Sequence, residues 1–155
     1  MDDIKKDTLS GEYIAGFIDG EGYIGITFQR KKETSYQSAS VHYHPYLIIA
    51  NNNYKILDDI KKFVGSGYIY KLSRNYKHKE GFQYKLTKME PLKRLLEFIQ
   101  PYLRIKQKQC KLLLTFIDTR KNAKIITGRG YRGATSYTIE EEIYRELLNL
   151  NKRGR

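Results

Sequence analysis

Residues 14–22 read Ile14-Ala-Gly-Phe-Ile-Asp-Gly-Glu-Gly22, and this stretch decides how the rest of the chain is understood. Ser10 is a suitable N-cap, so the sequence predicts a short helix from Glu12 to about Asp19. Ile14, Ala15, Phe17 and Ile18 are apolar around its circumference, which a surface helix does not tolerate; it must be covered on most sides. Ala15, Gly16 and Gly20 place small residues about one turn apart, so a second helix backbone can approach closely. Asp19 and Glu21 fall at the C-terminal end, where the helix dipole is negative and each carboxylate is disfavoured by roughly 0.3–1 kcal/mol. A divalent cation would offset that, because carboxylate oxygens and the free carbonyls of a helix end are hard ligands suited to Mg²⁺. The residues alone also allow a plainer arrangement, in which Asp19 or Gly20 only caps the helix and Glu21 is solvated.

Outward from this helix, Tyr23 to Lys31 alternates, with Ile24, Ile26 and Phe28 on one face and Tyr23, Gly25, Thr27, Gln29 and Lys31 on the other. A second strand, about His42 to Ala50, sets Val41, Tyr43, Leu47 and Ile49 against His42, His44, Tyr46 and Ile48. Asn51-Asn52-Asn53 offers caps for a helix through Ile56, Leu57, Ile60, Phe63 and Val64 that stops at Gly65. Two more strands are expected at Tyr68 to Leu72 and Phe82 to Thr87, joined by a basic loop. Pro91 opens a helix that Pro101 ends, and another runs from about Ile105 to Ile117. Thr119 to Tyr137 has three Gly, five Lys or Arg and no acid, and is expected to be a basic loop. Thr138 and Glu141 form a capping box for a last helix, 138–151. The order α-ββ-α-ββ-α-α-α predicts one α+β domain over 1–155, with its core at about 9–118. Helices cover one face of a four-stranded antiparallel sheet and the other face stays open.

Composition narrows the partners. The chain has 155 residues, with 29 Lys and Arg against 17 Asp and Glu, for a net charge of +12. Six acids crowd residues 1–22, whereas residues 68–88 carry Lys71, Arg74, Lys77, Lys79, Lys85 and Lys88 against Glu80 alone. That excess favours a polyanion, and 14 Tyr with 6 Phe supply flat groups for sugars and bases. No apolar run is long enough for a membrane span, the single Cys110 cannot form an internal disulfide, and MDDIKKDTLS lacks a secretory apolar stretch. An intracellular protein is expected, in the cytoplasm or nucleoid of a prokaryote or in an organelle.

Ile14 to Gly22 resembles the LAGLIDADG signature of homing endonucleases, with Ile14 for the leading Leu, Phe17 for the second Leu, Gly20 for Ala and Glu21 for the final acid. The αββαββα order resembles that family's core, and QPYLRIKQKQ at 100–109 resembles the segment that carries its active-site lysine. The resemblance implies that Glu21 binds metal with the Gly20 carbonyl beside it, while Asp19 caps and packs the helix. Lys106 would be the active-site lysine and Asn51 a water-ordering residue, with Lys55 or Asn53 near a basic position one turn on. Mg²⁺ is the implied cofactor, with Mn²⁺ as a substitute and Ca²⁺ supporting binding without cleavage.

Only one such motif is present, because Leu113 to Arg120 (LLTFIDTR) lacks glycine and reads as core helix. One carboxylate per chain is too few for this chemistry, so a C2 homodimer is expected, pairing through Tyr13, Gly16, Phe17, Asp19 and Gly20. The polar strand faces then offer Gly25, Thr27, Gln29, Lys31, His42, His44, Tyr46, Tyr70, Arg74, Gln83 and Lys85 to double-stranded DNA, with Arg129 and Arg132 from the basic loop. His42 and His44 lack a third ligand, and Cys110 sits among core residues with no histidine partner. The implied reaction is a Mg²⁺-dependent double-strand break at a long, nearly palindromic site, leaving short 3′ overhangs; no small-molecule substrate or membrane is implied. The rival readings are an RNA maturase or a non-cleaving DNA-binding regulator of the same fold, and a basic protein of the translation machinery.

Overall fold

The structure, a computed structural model, describes residues 9–32, 34–35, 40–73, 80–127 and 134–152, with backbone alone at 31, 40, 123–127 and 134–138. The first helix, α1 (Gly11–Glu21), starts where Ser10 Oγ accepts the Tyr13 N–H at 3.2 Å, and it buries Ile14, Ala15 and Ile18. It runs two residues past the expected end, so Glu21 is its last residue, and β1 (Gly22–Lys31) follows directly. Strand β2 (Ser40–Asn51) is longer than its expected range at both ends. Helix α2 (Tyr54–Val64) is capped by Asn53, whose Oδ1 accepts the Ile56 N–H, and it stops at Gly65 in the left-handed region at φ 72°. Strands β3 (Tyr68–Leu72) and β4 (Gly81–Leu86) and helix α3 (Met89–Ile99) complete the expected core, and a short 3-10 turn at Gln100–Tyr102 carries Pro101.

Every strand pair is antiparallel, in the order β1-β2-β4-β3. Ile24, Ile26, Tyr43, Leu47, Ile49, Tyr84 and Leu86 point from one sheet face into a single core with Ile14, Ile18, Leu57, Ile60, Leu92 and Leu96 from the helices. Phe28 shares that face yet remains 43% exposed, with its ring against Tyr43 and Tyr144. Cys110 is buried with its thiol toward the Leu96 carbonyl at 3.6 Å, and burial pushes the thiol up to about 12.

The C-terminal third departs from expectation. Helix α4 (Gln107–Thr127) does not stop near Ile117; it continues through half of the expected basic loop. Nothing between 107 and 127 breaks a helix, since the first glycine is Gly128. The acids absent from that segment come from elsewhere. Arg120 is buried against Glu140, with Nε and Nη2 reaching the two carboxylate oxygens at 3.1 and 2.9 Å, and Nη2 also reaches the Tyr43 carbonyl at 2.6 Å. Lys121 pairs with Glu90 at 2.6 Å. Helix α5 (Ala134–Leu150) begins before Thr138, so the Thr138–Glu141 pair does not mark its start. No helix among the described residues is long and apolar enough to cross a membrane.

Candidate functional site

Asp19 lies two residues before the α1 terminus, against the segment that leads into α4. Its carboxylate accepts the main-chain N–H groups of Arg104, Ile105 and Lys106 at 2.7, 3.2 and 2.9 Å. The Lys106 ammonium donates in turn to the Asp19 carbonyl. Burial works against the Asp19 charge, but the three N–H donors and the nearby ammonium outweigh it and hold the carboxyl below its ordinary value. The cation expected to offset Asp19 is therefore unnecessary there: its compensation comes from its own chain. For the same reason Asp19 is turned toward residues 104–106 rather than toward a free surface.

Glu21 differs. It is exposed at the very end of α1, and Lys106 is near enough to feel its charge. Burial pulls the Lys106 ammonium below the usual lysine range, although Asp19 and Glu21 both pull the other way. The donor set at Glu21 is one carboxylate with the Gly20 carbonyl, hard oxygens that suit Mg²⁺ or Ca²⁺ and no soft metal. No group of three His, Cys, Asp or Glu side chains that could hold a metal ion exists among the described residues.

The open side of α1 carries Tyr13, Gly16, Phe17 and Gly20, spaced as one helical stripe. A methyl group added at Gly16 or Gly20 would meet nothing within 4 Å. Tyr13 is 49% exposed and stacks on Phe17 at 6.2 Å. Ala15 does not belong to this stripe, because it is fully buried with Ile14 and Ile18 under the chain's own core. The apolar character of α1 is thus mostly met within one chain; Tyr13, Gly16 and Gly20 remain exposed, and Phe17 is half-buried against the core.

Asn51 and Lys55 are engaged locally. Asn51 ends β2, and its Oδ1 accepts the Asn53 N–H at 2.8 Å; Lys55 pairs with Asp59 one turn along α2 at 2.7 Å. No hydrogen bond or ion pair joins either residue to Glu21 or Lys106 among the described residues.

The outer sheet face is ordered by register. Tyr23, Ile48, Lys85 and Tyr68 form one row across all strands, Ala50, Gln83 and Tyr70 form the next, and Gly25 faces Tyr46, Thr27 faces His44 and Gln29 faces His42 on the β1–β2 ribbon. Tyr23 and Tyr46 stack at 5.8 Å and close over Gly25, where an added methyl would come within 2.6 Å of the Tyr23 ring. Burial, with Tyr23 alongside, pushes the Tyr46 hydroxyl up to about 12, and the Lys85 ammonium lies 5.7 Å from the Tyr46 ring. His42 and His44 are stacked at 6.3 Å. Tyr68 joins the face beyond the expected set, marked by its period-two spacing from Tyr70, and Tyr23 stands on the polar side of β1 where its spacing from Gly25 predicts it. Lys31 is described by its backbone alone, and Arg74, Arg129 and Arg132 lie outside the described residues.

Comparison with known proteins agrees with this geometry. Residues 14–120 match the LAGLIDADG endonuclease family. DNA endonuclease I-CreI of Chlamydomonas reinhardtii is 30% identical over 113 residues, which span 72% of this chain but only 64% of that relative's length. Two solved structures share the fold: the homing endonuclease I-CvuI in complex with its target in the presence of calcium (TM-score 0.70, 20% identity, 94% of this chain and 83% of that one), and the archaeal intron-encoded homing endonuclease I-Vdi141I complexed with DNA (TM-score 0.71, 19% identity, 94% and 86%). With the motif at the end of α1, the four-stranded open sheet and a family match over residues 14–120, the chain belongs to the LAGLIDADG endonuclease family.

Proposed function

We propose that this chain is a homodimeric homing endonuclease that makes a divalent-metal-dependent double-strand break in a long, nearly palindromic DNA site, leaving short 3′ overhangs, in the setting of intron homing. One observation carries the reading: the uncovered stripe of α1 ends on an exposed carboxylate beside a buried-side lysine, at the lip of an open polar sheet face. Two α1 helices packed through Gly16 and Gly20 would bring two Glu21 side chains together, one for each DNA strand.

In this account Glu21 and the Gly20 carbonyl hold Mg²⁺, or Mn²⁺ in its place. When bound, the metal supplies charge to activate water and to stabilise the leaving oxygen. Ca²⁺ supports binding without cutting, because it is larger and looser in its geometry. Lys106, made easier to deprotonate by burial, would as the neutral amine accept the proton of the attacking water and become the ammonium, and Asp19 fixes its main chain. Asn51 orders water at the end of β2, and Lys55 adds positive charge one turn on. Gln29 and Gln83 suit adenine edges, and Lys85 suits guanine or phosphate. The cell's DNA is the substrate, so the protein works in a cytoplasm, nucleoid or organelle. Incubation with a randomised plasmid library tests the reading: linear products with Mg²⁺ and none with chelator support it, and intact plasmid in both contradicts it.

A further inference from the structure

Only some of the described lysines have acids. Lys55, Lys62, Lys71, Lys93 and Lys121 each form an ion pair, whereas Lys61 and Lys88 form none. Both line one cleft between the end of α2 and the start of α3, together with Asp58, Lys62, Ser66 and Tyr68. The acid in that cleft is already committed, since Asp58 holds Lys62 at 2.6 Å. The cleft therefore keeps two uncompensated ammonium groups.

Its wall is fixed rather than loose. Gly65 turns the chain out of α2 in the left-handed region, and Gly67, at φ 101°, lets the backbone pass so close to Tyr84 that an added methyl would lie 2.4 Å from the ring. The Tyr84 hydroxyl donates to the Ser66 carbonyl at 2.7 Å. The negative end of α2 favours cations at this point, where Lys61 and Lys62 stand in its last turn. The cleft is also continuous with the sheet face, because Tyr68, one of its lining residues, stands opposite Lys85 across β3 and β4.

We infer that this cleft is a second contact for the substrate, a seat for a DNA backbone phosphate beyond the β3 edge of the sheet, held by Lys61 and Lys88. The inference rests on the DNA reading above and deepens it. DNA lying over Lys85 and Tyr68 passes the cleft mouth, and the seat adds affinity without reading a base.

The test is the salt dependence of binding by the full-length protein to a cognate duplex and to an unrelated one. Each phosphate contact contributes about 0.9 to the slope of log affinity against log salt, so Lys61→Ala/Lys88→Ala should make that slope shallower by about 1–2 while leaving the cognate-to-unrelated ratio unchanged. Lys61→Arg/Lys88→Arg should restore it, and Lys93→Ala, which removes an ammonium already paired with Asp118, should leave it as in the wild type. A steep wild-type slope that the double Ala variant does not change, or that Lys93→Ala lowers equally, overturns the phosphate seat alone. A flat wild-type slope overturns the DNA reading and the seat together.

Discussion

Asp19 and Lys106 clasp each other twice: the Lys106 N–H donates to Asp19 Oδ1 at 2.9 Å, and the Lys106 ammonium donates to the Asp19 carbonyl. The clasp joins the end of α1 to the start of α4 and ties the helix bearing Glu21 to the lysine that neighbours it.

Asp19→Asn should destabilise the fold by about 1–3 kcal/mol near neutral pH, since hydrogen bonds to a charged acceptor are lost. The folded-state carboxyl ionises below its unfolded value of 3.8. Its stabilisation is thus present in full well above that value and drains away as pH falls through the folded one. Urea unfolding of wild type and variant at neutral and strongly acid pH should show a gap that narrows in acid; an equal gap at both pH values contradicts the charged clasp.

Arg120→Met should cost about 3–5 kcal/mol, because it takes the guanidinium away from the fully buried Glu140 carboxylate. Arg120→Met/Glu140→Leu should recover much of that loss in the same unfolding measurement. A neutral single variant would mean that the pair does not hold α4 and α5 together.

Much of this was legible in the sequence, and the parts that were not share a cause. Ser10, Asn53 and Gly65 act on neighbours within a few residues, so their caps could be read locally, as could the alternation that buries Ile24 and Leu47. The extent of α4 could not, because Arg120 and Lys121 find their acids 20 and 31 residues away. Asp19 is a similar case: its motif position signals a special carboxylate, but its N–H donors lie 85 or more residues on. The partners of Asn51 and Lys55 are local instead, an Asx turn to Asn53 and an i,i+4 pair with Asp59.

Gly16→Val should leave the monomer folded, since open space surrounds the position, and should weaken self-association and cleavage together. Sedimentation at matched concentrations checks this. A fully active wild-type monomer, or an undiminished variant dimer, removes the α1 stripe from the interface.

Lys106→Met should keep DNA binding and slow cleavage by about 10²–10⁴. Burial lowers the ammonium's proton affinity, so the wild-type rate should rise with pH below the usual lysine range, and the variant should lose that rise. A variant with the wild-type pH profile would make Lys106 only the structural half of the clasp.

The central claim is that the exposed carboxylate at the end of α1 holds the metal that cuts. The direct measurement compares wild type with Glu21→Gln, each as purified protein, for DNA affinity and for double-strand cleavage in Mg²⁺. The exchange keeps shape and removes charge at a helix end where charge is disfavoured, so folding should not suffer. Affinity should hold or rise, because a carboxylate facing phosphates repels them, and cleavage should vanish. Cutting of both strands by Glu21→Gln at a near wild-type rate would contradict the account.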